Sequence, residues 1–340
     1  MRIWFNKTFS TIRSVLQQLR QSEQIGEVTL VCTHTHNTAS VFTAADESYL
    51  EPTHLSAEAY LQWCLDFCKQ QQITVFWVGK EAALISQQQH LFTAIGTQVL
   101  VVANSDTLNL LSDKARFYQE LPPSVATVMD FIAVDDAPSF DAAVMQLKQH
   151  HQQLCVKPAQ SVFGLGFRIL DEQRNSVEHL LEGVEYHIPL NELRLGMAQS
   201  SAVFEKTLLV MEYLAKNEWS VDCVAHEGEL LCAVQRKKSL QLGHGQEIDN
   251  NAEIATMVER LAGHYQLNGL FNVQFREGEY GVRLLEINPR PSGGVGMACL
   301  AGVNLAELAL LSFLKKALTV PAIDYGLKVT EVNTAVVLKA

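Results

Sequence analysis

Leu284-Leu-Glu-Ile-Asn-Pro-Arg-Pro-Ser-Gly-Gly-Val-Gly296 is the stretch on which the fold turns. Its first half is apolar and strand-like, yet Glu286, Asn288 and Arg290 occupy every second position. Alternate side chains of a strand share a face. A carboxylate, an amide and a guanidinium therefore look out on one side while Leu285 and Ile287 turn to the core. Two prolines and three glycines then stop the strand and open a loop. Hard oxygen ligands beside a fixed cation suit a magnesium–triphosphate site.

Just upstream, Phe271-Asn-Val-Gln-Phe-Arg also alternates, with a turn expected at 277–280. A hairpin symmetric about Tyr280 sets Gln274 opposite Glu286 and Asn272 opposite Asn288, at about 5 Å between Cβ atoms. That is close enough to share a small cation. An ordinary polar sheet face would account for the alternation, but not for Glu and Asn on so apolar a strand.

Leu154-Cys-Val-Lys-Pro-Ala-Gln-Ser-Val-Phe-Gly-Leu-Gly-Phe-Arg-Ile-Leu reads as a strand ending in Lys157, a Ser/Gly loop, and a second strand from Phe167. Successive backbone N–H groups of such a loop can cradle phosphate oxygens beside a lysine. A plain hairpin turn is the competing reading, and the stretch lacks the Gly-Lys-Ser/Thr of a P-loop. Residues 183–201 carry little pattern and are expected to cover the site. Residues 207–213 read as a buried strand. A hairpin about Glu227-Gly228 joins 221–225 to 230–235 and returns Arg236-Lys-Lys238 to the region of Glu218. Residues 252–265 form an amphipathic helix.

The first third alternates short apolar strands (3–5, 28–32, 74–78, 98–102) with helices (11–20, 56–71, 81–92). That alternation predicts a doubly wound, mostly parallel sheet. Asn6-Lys-Thr-Phe-Ser-Thr after the first strand is not a dinucleotide fingerprint. The loops 6–10 and 34–37 remain candidates for holding a substrate. His34 and His36 share a strand face but have no third metal ligand nearby. Ser112 or Asp113 caps a helix, and Leu121-Pro-Pro ends it at a domain boundary.

The chain has 340 residues, 48% of them hydrophobic and 19% charged, so two or three subdomains are expected. A formal net charge of −11 argues against a general nucleic-acid binder while leaving room for a local basic pocket. The seven cysteines are scattered, and Cys64 with Cys68 cannot complete a zinc set. Reduced buried thiols are expected. Segment 305–314 is too short to span a bilayer, and a soluble, cytoplasmic protein without membrane partners is expected.

In this order the pieces resemble the ATP-grasp superfamily, in its carboxylate–amine ligase and carbamoyl-phosphate-synthetase-like branch. The resemblance covers roughly 104–311. It rests on Asn272-Val-Gln274, Leu285-Glu-Ile-Asn-Pro-Arg-Pro-Ser-Gly-Gly294 and Ala301-Gly-Val-Asn-Leu-Ala, preceded by Asp113-Lys114, Val156-Lys-Pro158 and Glu212-Tyr-Leu with Glu218-Trp-Ser-Val-Asp222. It implies a mixed α/β and α+β chain. A doubly wound pre-ATP-grasp domain (1–104) would precede a two-subdomain ATP-grasp fold (105–340), with a lid at about 124–211 and a metal-binding part at about 212–340. The N-terminal texture is similar to that of grasp enzymes in bacterial biosynthetic clusters, including those linked to tellurite resistance.

The resemblance also implies roles. Lys114 and Lys157 would contact ATP phosphates, with Ser161, Gly164 and Gly166 in a flexible lid over them. Glu212, Tyr213 and Leu214 would line the adenine slot, the last two through backbone groups, and Glu218 would bind the ribose. Gln274, Glu286 and Asn288 would hold Mg²⁺ (or Mn²⁺). Arg290, with Lys157, would stabilise the transferring phosphoryl group. Arg236 and His244 would lie near the bound ligands. The implied reaction joins a small-molecule carboxylate to an amine or thiol through an acylphosphate, releasing ADP and phosphate. Carboxyphosphate chemistry and a non-catalytic ATP-binding regulatory module are the alternatives. Many relatives are homodimers, so a homodimer is an expected assembly.

Overall fold

The computed structural model describes residues 1–7, 11–161, 164–199, 204–239, 245–332 and 335–337. The chain packs into two compact units. One comprises Met1–Leu111, Asn217–Phe275 and Glu286–Ala340; the other comprises Ser112–Lys216 and Arg276–Leu285.

The first unit begins with a five-stranded, all-parallel sheet: β1 (Arg2–Phe5), β2 (Thr29–His34), β3 (Glu47–Leu50), β4 (Val75–Trp77) and β5 (Gln98–Leu100). Its spatial order is β3-β2-β1-β4-β5. In β1, Ile3 and Phe5 enter one core while Trp4, stacked on Phe76, enters another. A sheet covered on both faces needs strands that are apolar throughout, which is why 3–5 lacks alternation. Helix Ile12–Arg20 packs its buried Val15, Leu16 and Leu19 against the first of these cores. Ser56 accepts from the Ala59 N–H and starts helix Ala57–Gln70 at its expected place. The helix expected over 81–92 is instead two short helices, Ala82–Gln87 and Gln89–Ala94, separated at Gln88. Strand β3 was not anticipated.

The second unit carries a mixed sheet of β6 (Phe131–Val134), β7 (Leu154–Pro158), β8 (Arg168–Asp171), β9 (His187–Pro189) and β10 (Leu208–Glu212), ordered β6-β10-β7-β8-β9. Asp136 and Ser139 form a capping box for helix Ala137–Leu147, which buries Phe140 and Val144 in this unit's core. Stretch 183–199, which carries little pattern in the sequence, supplies β9 and helix Leu190–Gln199.

The third sheet is ordered β15-β14-β11-β12-β13-β16: β11 (Glu218–His226), β12 (Glu229–Lys238), β13 (Gln246–Asp249), β14 (Gly269–Gly278), β15 (Gly281–Asn288) and β16 (Lys328–Val329). The β11–β12 hairpin turns at Glu227-Gly228 and pairs Glu218 with Lys238. The turn between β14 and β15 lies at Glu279-Tyr280. In β15, Ile287 is buried as expected, whereas Leu285 is only half-buried. The apolar segment near the end of the chain is helix Leu305–Phe313, packed into the first unit's core. No helix among the described residues is long and apolar enough to cross a membrane. All seven cysteines are free, six of them buried.

Candidate functional site

In the second unit, Asp113 caps helix Lys114–Glu120 by accepting from the N–H groups of Ala115 and Arg116. This cap sets Lys114 at the first helical position. Its N–H donates to Ala159 O (3.1 Å) and its Nζ donates to Ser161 O (2.9 Å), so Lys114 holds the base of the Ser/Gly loop at two points. Gly164 and Gly166 both lie in the left-handed region, at φ +67° and +81°. A Cβ on Gly166 would also sit 2.8 Å from Pro158 Cδ. Only glycine meets both demands at that position.

Lys157 is half-buried at the end of β7, and its Nζ donates to Tyr118 Oη at 2.9 Å. Tyr118 in turn donates to Leu285 O. The phenol thus fixes the ammonium from below, a role that sequence reasoning missed. In the same unit Glu212 is buried and its backbone N–H donates to Asp130 O. The side chain of His151 bridges, with Nε2 2.8 Å from Asp130 and Nδ1 3.9 Å from Glu212. The Tyr213 N–H donates to Gln153 O, which directs its expected ligand contact to the carbonyl. Arg276 stacks over the Tyr213 ring at 5.2 Å. Gly278 closes on the same place: a Cβ there would meet Leu214 Cδ2 at 2.6 Å.

In the first unit, Glu286, Asn288 and Arg290 do share one side. Asn288 Nδ2 donates to Glu286 Oε1 (2.9 Å) and Arg290 Nη2 donates to Asn288 Oδ1 (3.3 Å). All three are half-buried. Burial lowers the Arg290 pKa and neighbouring Glu286 opposes this; a guanidinium stays charged regardless. Gln274 Nε2 reaches Asn272 Oδ1 at 3.5 Å, and Asn272 is buried, donating to Ser220 Oγ and Val221 O. The oxygen donors are one carboxylate and two amides. No group of three or more His, Cys, Asp or Glu arranged to hold a metal ion exists among the described residues. Such a set fits a hard cation that keeps waters and leans on substrate phosphates, as Mg²⁺ does.

Arg236 is almost wholly buried and pairs with Asp222 at 2.8 Å. It also donates to Ser220, to Gln246 and to Ser292 Oγ (2.8 Å), and Ser292 Oγ accepts the Gly294 N–H. A Cβ on Gly294 would collide with this guanidinium. Arg236 therefore shapes the glycine loop after β15 from behind. Glu218 pairs with Lys238, and His244 lies outside the described residues.

A cavity of about 470 Å³ opens in the first unit where the parallel strands end. Lys7 follows β1, His34 ends β2, and Gly79-Lys80 follows β4. Arg290 and Pro291 complete the wall with Ile12 and Trp77. Burial first, then His36 and Lys7, hold the His34 pKa below its ordinary value. Of the two loops expected to hold a substrate, each thus contributes lining residues, while residues 8–10 fall outside the described part.

Residues 204–335 match the protein family described as ATP-grasp in the biosynthetic pathway with Ter operon. No curated protein matches the chain in sequence. Among solved structures, N5-carboxyaminoimidazole synthetase of Staphylococcus aureus is 15% identical, with 94% of this chain and 78% of that one covered at a TM-score of 0.65. The N5-carboxyaminoimidazole ribonucleotide synthetase of Thermus thermophilus is 11% identical over 95% and 81%, at 0.66. The biotin carboxylase domain dimer of Hydrogenobacter thermophilus 2-oxoglutarate carboxylase, in complex with MgADP, ADP and bicarbonate, is 15% identical over 96% and 72%, at 0.65. The chain thus shares the fold of these structures along nearly its whole length, and residues 204–335 match the ATP-grasp family model in sequence.

Proposed function

We propose that the chain is an ATP-dependent ligase that activates a small carboxylic acid as its acylphosphate and passes the acyl group to an amine or thiol. The observation that carries this reading is the face of Glu286, Asn288 and Arg290, linked side chain to side chain at the end of β15 and just beyond it. In this reading Lys114 and Lys157 bind the phosphates, and Ser161, Gly164 and Gly166 belong to the loop that excludes water from them. Glu212, Tyr213 and Leu214 receive the adenine and Glu218 the ribose. Gln274, Glu286 and Asn288 hold Mg²⁺, which when bound neutralises phosphate charge and polarises the γ-phosphoryl group. Arg236 acts through Ser292 and Gly294 to position the loop beside Arg290.

In the first step an acid oxygen attacks the γ-phosphorus, the bond to the β,γ-bridging oxygen breaks, and ADP leaves. Arg290 and Lys157 neutralise charge on the transferring group. In the second step the nucleophile attacks the acyl carbon, the carbon–oxygen bond to phosphate breaks, and phosphate leaves as the nucleophile gives up its proton. The sheet of 1–104 serves as the pre-grasp domain. A cytoplasmic homodimer is part of the reading, in line with the dimeric Hydrogenobacter relative.

Fold likeness to N5-carboxyaminoimidazole synthetases and a biotin carboxylase favours a second reading, in which bicarbonate is the acid and carboxyphosphate forms. Release of ADP and phosphate from Mg-ATP, measured against pooled carboxylates and amines and separately against bicarbonate, tests both. Acid-dependent release supports the first reading and bicarbonate-dependent release the second. Tight ATP binding without turnover in any pool would leave a nucleotide-binding module.

A further inference from the structure

The cavity lies at the switch point of the parallel sheet, where β1 leads to β2 on one side and β4 adds on the other. Ligands of open α/β sheets bind outside the carboxyl ends of the strands at such points. Three cationic side chains line it (Lys7, Lys80 and Arg290), and none of its described lining residues is Asp or Glu. In a chain of net charge −11 this is a concentrated reversal of sign. A cavity with low-dielectric walls focuses such a field on an anion.

Buried polar groups set the two lysine loops. Asn6, wholly buried, accepts from the N–H groups of Gly79 (2.6 Å) and Lys80 (3.1 Å) and donates to Lys80 O (2.9 Å). Glu51, also buried, accepts from the Lys7 N–H (2.8 Å), Thr33 Oγ1 (3.0 Å) and Tyr60 Oη (2.7 Å). Its other near neighbour is Lys80 Nζ at 3.8 Å. Thus one amide and one carboxylate tie the ends of β1, β2 and β4 together. A buried network of this kind is costly unless fully satisfied, and here it fixes the backbone from which both lysines reach the cavity. Ile12, Trp77 and Pro291 supply an apolar wall.

We propose that this cavity takes a small acid carrying a second anionic group, a carboxylate or phosphate, on a flat apolar body. Lys7 and Lys80 read the second charge, and Arg290 faces the carboxylate that reacts. The assignment deepens the ligase reading and rests on it for the fate of the bound acid, but not for binding itself. One charge is enough for Arg290 to orient. Two further lysines held by a dedicated buried scaffold call for another.

Calorimetric titration of the full chain with benzoate, terephthalate and 4-phosphonobenzoate tests this, with Mg-ADP titrated in parallel. Both dianions, or one of them, should bind at least about 10-fold more tightly than benzoate, as one more paired charge would give. The stronger of the two identifies the second group. In Lys7→Gln and Lys80→Gln that preference should fall to about 2–3-fold, a loss of most of one charge contact, while benzoate and Mg-ADP binding persist. Tryptophan emission and melting confirm that each variant is folded, and Lys7→Ala with Lys80→Ala repeats the test without the amide. Equal binding of mono- and dianions, no binding of any probe, or a preference indifferent to both lysines overturns the assignment. Failure of Mg-ADP to bind, with the dianion preference intact, instead overturns the ligase reading and leaves the cavity assigned.

Discussion

Asp222→Asn removes one charge from the most deeply buried ion pair among the described residues of the first unit. Arg236 and Asp222 have side-chain exposures of 2% and 0% and meet at 2.8 Å. The guanidinium that remains keeps Ser220, Ser292 and Gln246 as partners but has no counter-charge. Breaking such a pair from one side costs about 3–5 kcal/mol. With an m-value of about 3 kcal/mol/M, the urea midpoint should fall by about 1–1.7 M. All four tryptophans (Trp4, Trp63, Trp77 and Trp219) belong to the first unit, so their emission follows that unit's unfolding. Replacing both partners, in Asp222→Leu with Arg236→Met, should recover part of the loss because no unpaired charge stays behind. The double variant should still lose ligase activity, since the anchor of Ser292 goes with the guanidinium. A single-variant midpoint within about 0.2 M of the parent, the range of an ordinary surface substitution, would refute the reasoning. So would a double variant less stable than the single one.

Tyr118→Phe keeps the ring but removes the acceptor of Lys157 Nζ. The KM for ATP should rise by about 10-fold, the lower end of one charge-assisted bond, and an unchanged KM would detach the phenol from the nucleotide site. At the far edge of the parallel sheet, hydrogen bonds from Arg2 first and Tyr49 second draw the Glu47 pKa down to about 2. A carboxyl lowered on folding stabilises above its unfolded value, 4.5, and loses that contribution as pH falls from there towards about 2. Because the pair is about a third exposed, Glu47→Gln should cost only about 1 kcal/mol at pH 7 and nothing near pH 2. A deficit that persists at acid pH would point to packing instead.

The parallel sheet was legible because strands such as Ile3-Trp-Phe5 must be apolar throughout to fill two cores. Strand β3 was not, because Glu-Ser-Tyr-Leu sits on the sheet edge with Leu50 exposed, its order resting on the Glu47–Arg2 pair 45 residues apart. The helix Leu190–Gln199 hid for a related reason: only Leu190 and Met197 are buried, too few to mark a face. On the site, the alternation of Glu286, Asn288 and Arg290 is local and could be read directly. Tyr118 beneath Lys157, and Asn6 with Glu51 behind the cavity, are tertiary. Tyr118 meets Lys157 only when helix Lys114–Glu120 packs on the second unit's sheet, and Asn6 and Glu51 meet their partners only once parallel strands have brought distant loops to one end. Arg236, which the resemblance puts near the ligands, is tertiary as well: it is buried with Asp222 and supports the glycine loop through Ser292.

If an acylphosphate forms on the Glu286 face as proposed, hydroxylamine should trap it. Hydroxamate formation should require both an acid and Mg-ATP, match ADP release one for one, and disappear in Glu286→Gln although the variant folds. An amide is a poorer ligand than a carboxylate for a hard cation. ADP release that needs no acid and yields no hydroxamate, or turnover undiminished in Glu286→Gln, would contradict the proposal.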